Sequence, residues 1–461
     1  MSKDNKLSFE YEHIMKKNKN IIDDAFKFCD GYKNFMNQTK IERECVNFII
    51  DCAKKNGYKE FNDKVSNLMP NDKFYFNNRG KAVILFTIGK APLDSGINFV
   101  ISHIDSPRLD LKPNPLYESD EISYFKTHYY GGIKKYQWTT IPLSMHGRIF
   151  KEDGSFVDVS YGEKDEEPKF IITDLLPHLA KEQEQRTLRD GIKGEELNIV
   201  IGSLPIDKED EEIKTKVKQK TLEILNKIWG ITEKDFARAE IEFVPANKAT
   251  DIGFDESMIA AYGQDDKVCA YPALMAEIEN HNPEKTSFTV FTDKEEIGSE
   301  GNTGMVSNYA FNLVEELCDM MNVKTSTCYR NSICLSSDVN SAYDPTFSDV
   351  FEKMNSSYIN KGVVLTKYTG HAGKSGSNDA SAETMARIIK IMDDDNVIWQ
   401  IGELGKVDIG GGGTIAKYVS ERDIDTVDLG VAVLSMHSPY ELTSKLDIYE
   451  TYLAYKAFLK N

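Results

Sequence analysis

The chain has 461 residues, 40% hydrophobic and 28% charged, a globular composition long enough for about two or three domains. Asp and Glu outnumber Lys and Arg by 74 to 56, and the formal net charge of -18 excludes a nucleic-acid binder that works through a basic surface. No stretch approaches membrane-spanning length, the N-terminus has no apolar signal core, and the seven scattered cysteines form no Cys-x-x-Cys pair. A cytoplasmic protein with reduced thiols and no membrane partner is expected.

Residues 10–70 are charged, with apolar positions at helical spacing, and predict helices. Strand-like runs follow at 82–88 and 97–104. The texture then changes. From 112 to about 244 come short β-like pieces with turn signals, among them Asp153-Gly154 between two such runs, a hairpin signature. A charged, partly helical stretch at 207–229 interrupts them, and its block 208–212 reads as solvated surface. From about 249 the α/β rhythm returns. Helices are predicted at 268–278, 307–321 and 380–392, and strands at 287–292, 333–336, 363–367, 397–401 and 429–435. A last helix opens at Thr443 or Ser444, with Asp447 completing a variant capping box. Alternating strands and helices predict an α/β fold with a mixed central sheet covered by helices. The simplest account is one such domain, 1–110 and 249–461, interrupted by a β-rich insert at 111–248.

Five segments carry candidate chemistry. The strand at 97–104 delivers His103-Ile104-Asp105, a metal-binding imidazole with an aspartate that can orient a ligand. Asp265-Asp266 opens a helix, where acids serve as caps or, alternatively, as a carboxylate that bridges two cations. The strand at 287–292 runs into Asp293-Lys294-Glu295-Glu296. Successive residues of an extended segment point in different directions, so one glutamate can hold a metal while its neighbour acts as general base. The strand at 333–336 precedes Asp338. The nearly uncharged run 431–436 ends in His437. Each has an ordinary reading as a satisfied strand end or a turn. Together they matter more, because open α/β sheets bind ligands at the carboxyl ends of their strands. His, Asp and Glu without thiolates suit zinc, then manganese or cobalt. Two histidines, two terminal carboxylates and one bridging carboxylate make a site for two cations roughly 3.5 Å apart.

This order of motifs resembles the aspartyl aminopeptidase family of dinuclear zinc aminopeptidases, in its bacterial branch. The resemblance runs from about residue 80 to the C-terminus and is strongest at 102–110 (Ser-His-Ile-Asp-Ser-Pro-Arg-Leu-Asp), 293–299 and 435–438 (Ser-Met-His-Ser). It implies a zinc-exopeptidase-like catalytic domain with an inserted dimerisation domain, and a dodecamer built from dimers. It also implies residue roles. His103 and Asp338 complete one metal position, Glu296 and His437 the other, and Asp265 bridges. Asp105 orients a ligand, and Glu295 takes a proton from water and passes it to the leaving amine. The stretch 131–142 and the turn after Asp338 depart from the family's eukaryotic members, in regions that recognise an acidic N-terminal residue. Lys367 and Lys374 are candidates to meet such a side chain. Gly412 and Gly413, in a four-glycine run with no P-loop Lys-Ser/Thr after it, offer a backbone edge for a peptide.

The expectation is a metallo-aminopeptidase that removes N-terminal residues, acidic ones among them, with two divalent ions. Its rivals are a carboxypeptidase or amide deacylase on the same metal core, and a non-hydrolytic peptide-binding assembly protein with a vestigial site.

Overall fold

The computed structural model describes residues 7–62, 64–207 and 213–461, so the acidic block 208–212 lies outside the described residues. The chain divides into two units. The first comprises the chain up to Asp105 with Ala249–Met436 and Glu441–Asn461, and the second Ser106–Lys248 with His437–Tyr440. The sequence draws the first junction at 110/111. In the structure the strand Arg108–Ser119 belongs to the sheet of the second unit.

The first unit is built on a nine-stranded mixed sheet, in the order Lys59–Glu60, Lys73–Asn78, Ala82–Thr87, Thr286–Thr292, Ile97–His103, Ile333–Ser336, Asp425–Gly430, Val363–Thr366 and Trp399–Ile401. Its four central strands, Thr286–Thr292 through Asp425–Gly430, run parallel. Parallel strands covered on both faces read as continuous apolar runs, and every residue of Ile97–His103 is buried. Alternate residues supply the two faces. Val83, Leu85, Val100, Leu335 and Val427 enter one core cluster, and Ile84, Phe86, Phe99, Ile101 and Val290 the other.

Helices Ile21–Gln38, Glu42–Lys55, Gln264–Ile278 and Lys445–Lys460 contribute to the first cluster, and Tyr309–Met320 to the second. The fully buried Glu277 ties its helix to the sheet. Its carboxylate accepts hydrogen bonds from the hydroxyls of Tyr58 (3.0 Å), Thr87 (2.8 Å), Ser287 (3.0 Å) and Thr289 (3.1 Å), which satisfies a group that would otherwise be costly to bury.

Two local expectations shift. The strand predicted at 429–435 lies earlier, at Asp425–Gly430, with Ala432–Val433 and a bridge from Leu434 to Leu442 pairing beyond it. The two aspartates of Asp425-Thr426-Val427-Asp428 disguise it, although Asp428 is buried. Asp447 does not close a capping box. Ser444 caps the last helix through Leu446, and the Asp447 carboxylate instead accepts the backbone N–H groups of Asn360 (2.6 Å) and Gly362 (2.8 Å).

The second unit is a seven-stranded sheet, ordered Phe156–Tyr161, Leu143–Phe150, Ala239–Pro245, Arg108–Ser119, Ile122–Tyr130, Asn198–Gly202 and Ile171–Ile172. All its named pairings are antiparallel. Leu143–Phe150 and Phe156–Tyr161 form the hairpin predicted at Asp153-Gly154, where Gly154 takes φ +84. Phe125, Phe236, Phe243 and Phe170 pack in its core at centroid distances of 5.2–6.0 Å.

Candidate metal centre

The carboxyl edge of the parallel strands gathers the chemistry. His103 ends its strand directly opposite Thr292. Thr292 leads into Asp293 and a turn at Glu295–Ile297, where Lys294 and Ser299 adopt positive φ. Asp338 lies two residues beyond the end of Ile333–Ser336. Asp265 stands at the start of Gln264–Ile278 with non-helical backbone (φ -75, ψ 108), which aims it independently of the helix.

His103, 1% exposed, is surrounded by carboxylates. Its Nε2 lies 3.1 Å from Asp265 Oδ1, 3.9 Å from Glu295 Oε2 and 4.0 Å from Asp338 Oδ1. On the other side, Nδ1 lies 3.0 Å from the Asp105 carbonyl and 3.4 Å from Asp105 Oδ1. A proton on Nδ1, donated to Asp105, leaves the Nε2 lone pair directed at Asp265 and Asp338. That tautomer suits a metal ligand.

Asp105 does more than orient the imidazole. Its Oδ1 accepts the N–H of Glu295 (3.1 Å) and its Oδ2 the N–H of Glu296 (3.2 Å), so one carboxylate holds the backbone of both glutamates. The same turn is anchored by Thr303, whose hydroxyl donates to Asp293 Oδ2 at 2.6 Å, and by Tyr418, whose hydroxyl donates to the Gly298 carbonyl at 3.2 Å. Neither Thr303 nor Tyr418 carries a sequence signal, since both act through contacts remote along the chain.

Burial alone would lower the His103 pKa, but Asp105, Asp265 and Glu295 more than reverse it and raise it well above the imidazole range. Burial raises Asp338 well above the carboxylate range, and repulsion from Glu295, Asp266 and Asp265 adds to this. Asp266 is raised chiefly by burial. Asp293 is pushed up to about 6, by burial and then by Glu42 and Asp105, against Lys81 and Lys294. So many carboxylates collected in low dielectric are unfavourable by themselves, and a divalent cation removes the conflict.

The donor set fits such an ion. His103, Asp265 and Asp338 each offer a ligand atom within 4.8 Å of the others. Tetrahedral ligands at ~2.1 Å from zinc stand ~3.4 Å apart, between the spacings of 3.1 and 4.0 Å from His103 Nε2 to Asp265 and Asp338. Asp265 and Glu296 also bring carboxylate oxygens within 4.8 Å of each other. His437 belongs to the segment grouped with the second unit. There its Nδ1 lies 2.9 Å from the Gly132 carbonyl, and a Cβ added to Gly132 would sit 3.3 Å from that nitrogen. Glycine is what lets the carbonyl approach so closely.

The substrate candidates form a separate group. Lys367 and Lys374 both pair with Asp379, at 2.6 and 2.9 Å, and Lys374 also lies 3.7 Å over the Tyr368 ring. The Gly412 carbonyl accepts the N–H of Gly370 at 2.7 Å, which ties the glycine run to the same loop. A Cβ at Gly412 would meet nothing within 4 Å, and one at Gly413 only the Gly376 carbonyl at 3.4 Å.

A mixed α/β sheet that collects an imidazole and several carboxylates at its carboxyl edge defines a metal-dependent hydrolase. The sequence model of the family described as aminopeptidase I zinc metalloprotease (M18) matches residues 35–459, and the chain belongs to that family. An M18 family aminopeptidase 1 of Clostridium acetobutylicum is 50% identical over 447 residues, covering 95% of this chain and 96% of the relative. The crystal structure of an M18 aminopeptidase from Thermotoga maritima superposes with a TM-score of 0.94 at 43% identity, covering 98% of this chain and 100% of that one. The mApe1 dodecamer of S. cerevisiae shares the fold at 24% identity and a TM-score of 0.76, covering 96% of this chain and 97% of its own. The protein is therefore a metal-dependent aminopeptidase of a zinc metalloprotease family, as the motifs predict. The family decides for the aminopeptidase over the carboxypeptidase, deacylase and non-hydrolytic alternatives. Among the described residues, no helix is long and apolar enough to cross a membrane.

Proposed function

We propose that this aminopeptidase works with two divalent cations, zinc before manganese or cobalt. His103 and Asp338 hold one, Glu296 and His437 hold the other, and Asp265 is shared between them. The observation that carries the reading is the buried His103 imidazole, with Nε2 within 4.0 Å of oxygens of Asp265, Glu295 and Asp338. Support for His437 is its Nδ1 contact with the Gly132 carbonyl, which reserves Nε2 for a metal.

Divalent ions held by these residues would supply Lewis-acid chemistry to the scissile carbonyl and to the attacking water. Asp105 fixes the backbone of Glu295 and Glu296 through both of its oxygens, so the two side chains diverge from a rigid turn. Glu295 accepts a proton from the water and delivers it to the leaving amine. Lys367, Lys374 and the Gly412–Gly413 backbone meet the substrate. For an acidic N-terminal side chain to reach the lysines, it must compete with Asp379.

The insert mediates self-association into dimers that assemble into a dodecamer. The fold-level likeness to a dodecameric aminopeptidase supports this, as do the exposed leucines of the second unit, Leu175, Leu176, Leu179, Leu188 and Leu204. Peptides with a free N-terminus are the substrates. Seven free cysteines fit a reducing, cytoplasmic setting.

The experiment is hydrolysis of aminoacyl reporter peptides, free and N-blocked, after chelation and after readdition of zinc, manganese or cobalt. Activity confined to free amines and restored by the metal is expected. Loss of only one bound ion per chain in metal analysis of the His103→Ala, His437→Ala double variant would contradict the ligand assignment.

A further inference from the structure

The first N–H groups of a helix have no acceptor within it, and a Ser, Thr, Asp or Asn side chain at the N-cap ordinarily supplies one. The segment that presents Asp265 is met differently, because its backbone is non-helical at Asp265 and Asp266 and Gly263 before it, at φ +72, supplies no side-chain cap. The Asp265 N–H is met from 176 residues away by Glu441, whose Oε2 lies 3.1 Å from it. Glu441 is 1% exposed and pairs with Ala261 on the strand that leads into the helix.

The grip is double. The main-chain carbonyl of Glu441 accepts Gln264 Nε2 at 2.6 Å, and Gln264 Nε2 also reaches the Ile259 carbonyl at 3.2 Å. Gln264 Oε1 takes the Tyr32 hydroxyl at 3.0 Å. Glu441 thus holds residue 264 by its backbone and residue 265 by its side chain. Both contacts fall on the backbone and side chain immediately around Asp265, whose own φ/ψ is non-helical. Burying a carboxylate is costly unless it is well partnered. The ordinary explanation is charge balance with the buried Lys267, which feels Glu441 electrostatically and donates to the carbonyls of Thr39 and Lys40. Charge balance requires no bond to Asp265, however, and the bond is there.

We propose that Glu441 is a positioning residue for Asp265: by accepting its N–H it fixes the carboxylate shared between the cations and sets the affinity of the centre for them. This rests on the reading of Asp265 as a metal ligand.

The test is competition for zinc between the full chain and a metal-sensitive chelating dye, with circular dichroism as the control for folding. Glu441→Ala should lose 10- to 100-fold in zinc affinity, the range for removing a residue that orients a ligand. Glu441→Gln keeps an acceptor for the N–H without the charge and should stay close to the parent. A folded Glu441→Ala with parental affinity overturns the proposal. So does Glu441→Gln as weak as Glu441→Ala, since charge balance with Lys267 would then be the role. If Glu441→Ala does not fold, Glu441→Asp decides: it keeps the charge but falls short of the Asp265 N–H, and unchanged affinity overturns the proposal. Asp265→Asn in the same titration separates the two readings. Unchanged affinity there removes Asp265 from the ligands, whereas a loss there with none in folded Glu441→Ala removes only Glu441.

Discussion

The strands of the two units are buried to different depths. In the first, the strand Ile97–His103 is buried along its whole length and feeds clusters on both faces of its sheet. In the second, the strand Phe156–Tyr161 buries only Val159, and Leu179, Leu188 and Leu204 stand 68–73% exposed. A sheet sealed on both faces is a rigid base from which a few polar side chains can be aimed, and the metal-binding candidates of the first unit sit at its edge. Exposed leucines add little to a monomer's stability, so they can be replaced without weakening its fold.

Substitutions in the two units should sharpen that contrast. The largest effect is expected from Glu295→Gln, which keeps the shape of the base and removes its proton affinity. A fall in kcat of about 10³-fold, with bound metal unchanged by elemental analysis, is expected, and retained turnover would remove Glu295 from the mechanism. Next, Ile101→Ala opens a cavity in a sealed core and should cost about 2–5 kcal/mol in denaturant unfolding. A smaller cost would mean that the sheet tolerates voids and is a poor base for the site.

The pH dependence of stability comes next. Burial raises Asp447 to about 8 and Glu450 to about 7. Both lie above their unfolded values, so the folded state binds more protons than the unfolded chain. Their contribution is fully present below about pH 4 and is lost as pH rises through about 7 to 8. Unfolding free energy should therefore fall between about pH 4 and pH 8, and Asp447→Asn should flatten that fall; an identical slope in the variant would remove Asp447 as its source. The smallest change in stability belongs to the insert. Leu179→Ser with Leu188→Ser should shift unfolding by no more than ~0.5 kcal/mol yet lower the particle mass in light scattering. An unchanged mass would place the assembly contacts elsewhere.

Much of the first unit is legible without coordinates. The run 97–103 is mostly apolar and carries no charged residue before its end, so a central strand is its physically sensible fate, and the uncharged run 286–292, rich in β-branched and aromatic residues, behaves alike. The metal-binding candidates are legible as pieces because each sits at a helix start or at or shortly after a strand-like run, and their number outweighs the ordinary reading that each has alone. The strand Asp425–Gly430 was less legible, because its aspartates break the apolar pattern and only the neighbouring strands and the loop above them bury Asp428.

The sequence by itself determined the α/β class, the order of the motifs and, through them, the family, because periodicity and short motifs are local properties of the chain. Tertiary structure alone decided the pairings. It sends both oxygens of Asp105 to the N–H groups of Glu295 and Glu296, joins Lys367 and Lys374 through Asp379, and brings Glu441 to the amide of Asp265. A hydrogen bond reads distance and angle in space. Partners 176 or 190 residues apart leave no periodicity to read, and only the folded sheet brings them within 3.1 Å.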